Sequence, residues 1–111
     1  MSRAKGNRIE RKAEDYWEEK GFITDKKPHT QYQDQDFFSL FDILAVKPGE
    51  KFKFIQVKTN GANGINKFAD EVREKFPFQH ADYYYQVWYD YKGWRLIKIE
   101  RDERTVVLDE R

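Results

Sequence analysis

The sequence predicts an α/β chain in which helices pack on a β-sheet, and three observations predict it. Ile9, Ala13, Tyr16 and Trp17 fall at i, i+4, i+7 and i+8, one apolar stripe of a helix. Two runs rich in branched and aromatic residues, Phe38–Val46 and Phe52–Thr59, flank a Pro48-Gly49 turn signal and read as a hairpin. A second stripe, Ile65, Phe68, Ala69, Val72 and Phe76, precedes further strand-like runs. The order is helix, hairpin, helix, strands, with no internal repeat and no low-complexity linker.

Taken in turn, the first helix covers residues 7–20 and stops at Gly21. Glu10 sits about 100° round from Ile9 on that helix, so it borders the core and still faces an adjacent cleft. A short strand is expected at Phe22–Thr24. Residues 25–36 are polar and aperiodic and read as a loop. The second helix ends at Pro77. Asp82–Tyr91 and Trp94–Glu100 read as strands meeting at Lys92-Gly93, with Thr105–Asp109 as a last strand.

Composition limits the chemistry. A length of 111 residues suits one domain, 1–111, in which any activity must share the core, and association into a homodimer would add to that core. The 9 Phe, 7 Tyr and 3 Trp mark a globular chain despite 37% charged residues. With no Cys, thiolate metal sites are excluded, and His29 and His80 are too few and too far apart for a zinc site. Any metal must be oxygen-ligated. The start lacks an apolar signal region, and no stretch approaches the roughly 20 apolar residues of a membrane span, so a soluble, cytoplasmic protein is expected.

The candidate chemistry lies in the hairpin. Alternation puts Phe52, Phe54, Gln56 and Lys58 on one face of their strand. If Val46 pairs with Phe52, paired numbers sum to 98 and Asp42 falls opposite Gln56, with Cβ atoms about 5 Å apart. A one-residue slip would separate them. A carboxylate, an amide oxygen and an ammonium then converge, a set suited to holding Mg²⁺ on a phosphodiester and favouring hydroxide beside it. The bland alternative is a cross-strand ion pair of Asp42 with Lys58. Against it, Asp42 interrupts a run apolar on both faces, where a charge needs a partner or a metal.

These residues resemble a known family. Lys5-Gly6-Asn7-Arg8-Ile9-Glu10-Arg11, a helix ending in Lys20-Gly21-Phe22, then Phe41-Asp42-Ile43-Leu44-Ala45-Val46 and Phe54-Ile55-Gln56-Val57-Lys58 resemble the core of PD-(D/E)XK nucleases. The opening is similar to that of archaeal-type Holliday junction resolvases. The resemblance covers residues 3–59 and rests on the order and spacing of three sites.

It implies a restriction-endonuclease-like core, a mixed β-sheet flanked by helices, in a Mg²⁺-dependent endonuclease that Mn²⁺ also serves. It further implies a substrate of branched or junction DNA and a homodimer. Glu10, Asp42, Gln56 and Lys58 become the catalytic cluster, with Glu10, Asp42, Gln56 and the Val57 carbonyl as metal ligands. Two positions depart from the family: Phe41 replaces a proline, and Gln56 replaces an acid, which leaves the metal more weakly held. Gln-x-Lys variants are known in the superfamily, so the resemblance still implies an active enzyme.

Other features carry less. Arg3, Lys5, Arg8 and Arg11 form a basic patch that can bind DNA phosphates or simply solvate a helix, and the resemblance favours phosphate for Lys5 and Arg8. Ser39 and Thr30 read as junction polar residues, and both histidines as surface positions. Tyr83–Tyr89 reads as a core strand whose other side suits a dimer face, ahead of a base-stacking platform. Asn60-Gly61-Ala62-Asn63-Gly64 lacks the Lys-Ser/Thr of a P-loop and reads as a flexible connection bordering the DNA cleft. The alternatives to a nuclease are a weak or silent nucleic-acid-binding module on the same scaffold, or a protein-interaction domain built on the aromatic strands.

Overall fold

The computed structural model describes residues 3–26, 37, 38 and 40–111, with side chains from residue 7 onward. Thr30, Ser39, His29, most of the expected 25–36 loop and the side chains of Arg3 and Lys5 lie outside the described residues. Helix α1 spans Arg3–Glu19, a turn earlier than the apolar stripe marks, because its first turn is polar. Gly21 ends it at φ +94°, a conformation that glycine adopts without strain. The N–H groups of Gly21 and Phe22 donate to the carbonyls of Glu18 and Trp17, and the Phe22 ring meets Trp17 at 5.4 Å, a complete Schellman stop.

Strand β1 is Ile23–Lys26, shifted one residue beyond the expected start and taking two residues from the expected loop. The run Phe38–Val46 is strand only over β2, Ile43–Val46. Strand β3 spans Phe52–Thr59, and the turn between them uses Gly49 at φ +82°. Helix α2, Ile65–Lys75, stops because Pro77 forces Phe76 into extended backbone at φ −119°, ψ 142°. Strands β4, Ala81–Tyr89, β5, Gly93–Ile99, and β6, Arg104–Asp109, follow.

All six strands form one mixed sheet in sequence order. Neighbours are antiparallel except β3 and β4, which run parallel because α2 carries the chain back between them. The described residues contain no helix long and apolar enough to cross a membrane.

The helices cover opposite faces. Ile9, Ala13 and Trp17 of α1 pack with Ile43, Ala45, Ile55 and Tyr84, and the Trp17 indole donates to Gln86 Oε1 at 3.0 Å, tying α1 to β4. Phe68, Ala69 and Val72 of α2 pack on the other face with Phe41, Tyr83, Tyr85 and Val87. Of the Tyr83–Tyr89 run, Tyr83–Val87 is therefore buried on both sides and is core rather than a stacking platform or dimer face, while Trp88 and Tyr89 are half-buried. Burial pushes the phenols of Tyr83, Tyr84 and Tyr85 above their ordinary pKa, with Asp82 adding to the first two, so none ionises near neutrality.

Candidate metal centre at the β2–β3 fork

Pairing of β2 with β3 follows the predicted sum: Ile43 faces Ile55, Leu44 faces Phe54 and Ala45 faces Lys53. Asp42 lies one residue beyond the last pair, where the chain bends out of the ladder. Its N–H donates to the Ile55 carbonyl at 2.8 Å, and its Oδ2 accepts the Val57 N–H at 2.8 Å. The carboxylate thus substitutes for a missing backbone partner. A strand residue points its N–H and C=O to the same edge, so the Val57 carbonyl opens beside Asp42.

Gln56 and Lys58 project from β3 on the face toward α2. The Gln56 Nε2 donates to the Leu40 carbonyl at 3.0 Å, which leaves its Oε1 as the end without a hydrogen-bond partner among the described residues. Lys58 is exposed and makes no ion pair among the described residues. Both line a pocket of about 240 Å³ between β3 and α2, whose far wall is Gly64, Lys67, Phe68 and Glu71. Sequence reasoning missed Lys67 and Glu71. The available signal was the offset that picked out Glu10: Lys67 sits one position from the apolar stripe at Phe68.

Glu10 comes from α1, 8% exposed, beside the fully packed Ile9. That helix covers the face of the sheet opposite Gln56 and Lys58. Glu14, 6% exposed, accepts from Thr24 Oγ1 at 3.0 Å and lies 3.6 Å from Arg11. Among the described residues no three His, Cys, Asp or Glu side chains converge as a metal set. The fork offers a carboxylate, an amide oxygen and a backbone carbonyl. All are hard donors that fit Mg²⁺ in kind, with less negative charge than a site with two or three acids.

Phe41, standing where the resembled family has proline, is wholly buried and meets Phe54, Phe68, Phe76 and Tyr83 with ring centroids 5.2–5.8 Å apart. It anchors in the α2-side core the segment that delivers Asp42. In the basic patch, Arg8 is exposed, whereas Arg11 is drawn to Asp15 at 2.9 Å, Glu18 at 3.2 Å and Glu14. His80 is on the surface, as expected. The 60–64 connection is pinned at its start, because Asn60 and Asp90 exchange two hydrogen bonds of 2.9 Å.

No protein-family model matches the chain, and no curated protein matches it in sequence. Among solved structures it is similar to the 1.6 Å structure of Archaeoglobus fulgidus Hjc, a Holliday junction resolvase from an archaeal hyperthermophile. The TM-score is 0.57 at 22% identity, over 96% of this chain and 84% of that one. The chain therefore shares the fold of that resolvase, a mixed six-stranded sheet with helices packed on its faces.

Proposed function

We propose that this chain is a metal-dependent DNA endonuclease of the PD-(D/E)XK type, acting on Holliday junctions or related branched DNA as a homodimer of single nuclease domains. The observation that carries the reading is the fork itself: Asp42 precedes β2 where Gln56, Val57 and Lys58 carry β3 beyond its pairing with β2, and the Asp42 carboxylate accepts the Val57 N–H. The likeness to a resolvase fold supports it. A two-fold pair of copies suits a substrate that itself has two-fold symmetry.

In this reading Asp42, Gln56 Oε1 and the Val57 carbonyl would hold Mg²⁺, or Mn²⁺ in its place, and Glu10 of α1 would be the further ligand. The metal would supply Lewis-acid polarisation of the phosphate and a lowered pKa for bound water. The chain's own residues do the remaining work. The Val57 N–H fixes the orientation of the Asp42 carboxylate, and the Leu40 carbonyl holds the Gln56 amide with its oxygen outward. Lys58, exposed at the mouth of the pocket, orients the attacking water and offsets charge developing on the phosphate. Arg8 and Lys5 grip flanking phosphates.

A second reading has a specific observation behind it. With Gln56 neutral and no three-acid set among the described residues, the same scaffold suits a weak or silent nucleic-acid-binding module. Incubation with labelled four-way, flapped, nicked and linear DNAs in Mg²⁺, Mn²⁺ or EDTA separates the two. Metal-dependent cuts near branches support the nuclease; binding without cleavage in any metal supports the module.

A further inference from the structure

The segment that delivers Asp42 also carries an exposed aromatic ring that the metal site does not use. Phe37 and Phe41 close a tight loop through reciprocal backbone hydrogen bonds of 2.7 and 2.9 Å, reinforced by the Leu40 N–H to the Phe37 carbonyl at 3.0 Å. Phe38 lies within this loop at φ +56°, a left-handed conformation that bulky residues rarely adopt. Its side chain is 69% exposed, although its ring meets Phe76 at 5.4 Å and Phe54 at 5.8 Å. Glycine or asparagine would suit this backbone better, and burial gains little from so exposed a ring. Neither local preference nor core packing accounts for a phenylalanine here.

Its surroundings do. Phe54 supports the ring from below, and the same face of β3 continues to Gln56 and Lys58, with Phe52, 53% exposed, beyond Phe54 on the other side. At about 3.3 Å per residue, Lys58 lies about 13 Å from Phe54 along the strand. That is roughly four base steps of a duplex at ~3.4 Å each. An exposed aromatic ring at one end of a strand face, with Lys58 and Lys67 at the other, has the make-up of a site that stacks a base while cations hold its backbone.

We propose that Phe38 is a stacking wedge for a nucleobase left unpaired or unstacked at a DNA branch, held at a fixed distance from the phosphate at Asp42 and Lys58. The inference rests on the nuclease reading and adds the basis for preferring branched DNA over duplex. The Phe37–Phe41 backbone hydrogen bonds and the contacts with Phe54 and Phe76 position the ring before DNA arrives, which lowers the freedom lost on stacking.

The test uses the full chain in EDTA, with a four-way junction and a duplex of matched sequence, each carrying 2-aminopurine at the branch position or its equivalent. Wild type should alter the 2-aminopurine fluorescence of the junction only and bind it more tightly than duplex. Phe38→Ala should remove the fluorescence change and lower junction affinity about tenfold, with duplex binding unchanged. Phe38→Trp should retain both properties. Phe38→Leu keeps apolar bulk over Phe54 and Phe76 but has no ring face, so it should behave as alanine does even if the alanine variant folds poorly.

A leucine variant matching wild type in fluorescence and preference overturns the wedge, as does an equal loss on junction and duplex. If wild type also cleaves the junction in Mg²⁺, such a result leaves the nuclease reading standing. Wild type that neither binds nor cleaves branched DNA removes that reading and the wedge with it.

Discussion

Strand β3 carries two lysines five positions apart that meet opposite fates. Lys53 is 7% exposed, and its ammonium lies 2.5 Å from Asp82, its register partner on β4, and 3.6 Å from Glu50. Lys58 is exposed and borders a pocket with Gln56. Parity and position make the difference. Lys53 points to the face under α1, where paired strands supply an acid; Lys58 points to the other face, beyond the part of β3 that β2 covers. One lysine is committed to structure, and the other is available to a ligand.

The sharpest way to break this comparison is to remove each lysine and read both stability and cleavage. Lys58→Ala should lower Mg²⁺-dependent cleavage by about 10³-fold or more with an unchanged urea midpoint. Asp42→Asn should do the same, and Glu10→Gln should also be severe. Wild-type cleavage by Lys58→Ala would return that residue to an ordinary solvated position.

Lys53→Met should show the converse. It leaves the half-buried Asp82 with Lys98, 3.6 Å away, and should cost about 1–3 kcal/mol of stability, while cleavage per folded molecule stays near wild type. Urea unfolding followed by circular dichroism measures the first, and single-turnover cleavage below the transition measures the second. A variant as stable as wild type would show that the pair merely offsets its own desolvation.

Gln56 sits between the two lysines and tests how the open end is built. Its Nε2 donates to the Leu40 carbonyl, so Gln56→Glu sets a carboxylate oxygen against that carbonyl and should cost about 1–2 kcal/mol without metal. If position 56 coordinates, Mg²⁺ should restore that stability and support cleavage at lower concentration than wild type needs. At saturating Mg²⁺ the added charge should instead slow the reaction by raising the pKa of metal-bound water. Gln56→Leu should lose activity at every Mg²⁺ concentration. Unaltered metal dependence in the leucine variant would show that Gln56 is only the clasp of the Leu40 loop.

Much of this arrangement is legible in the sequence because it is local. The stripe from Ile9 to Trp17 specifies the face of α1, Gly21 its stop, and a five-residue turn sets a β2–β3 register that holds for three pairs. What was illegible depends on distant chain. Nothing near Tyr83–Trp88 says that β4 pairs parallel with β3 and lies under both helices, since a crossover of some twenty residues decides it. The apolar run before Asp42 looks like strand, yet Phe41 turns into the core while Phe38 turns out, and only the packed aromatic cluster distinguishes them. Lys67 and Glu71 join the pocket for the same reason: the docking of α2 on β3 places them there.

The smallest predicted effect carries the comparison of committed and available cations to α1, where Arg8 and Arg11 lie within one turn of each other. Arg11 faces Glu14, Asp15 and Glu18 within 3.6 Å, so its charge is largely balanced before any DNA arrives. Arg8 is exposed. Each cation that neutralises a phosphate releases counterions and adds about one unit to the slope of log affinity against log salt. Arg8→Ala should therefore weaken junction binding in EDTA and reduce that slope by about one. Arg11→Ala should change the slope by well under a unit, because DNA would have to displace three carboxylates to use that guanidinium. Titrations at several salt concentrations measure both. Equal slopes for wild type and Arg8→Ala would leave the patch a solvated helix face, and a full unit lost at Arg11 would show that its acids yield to phosphate.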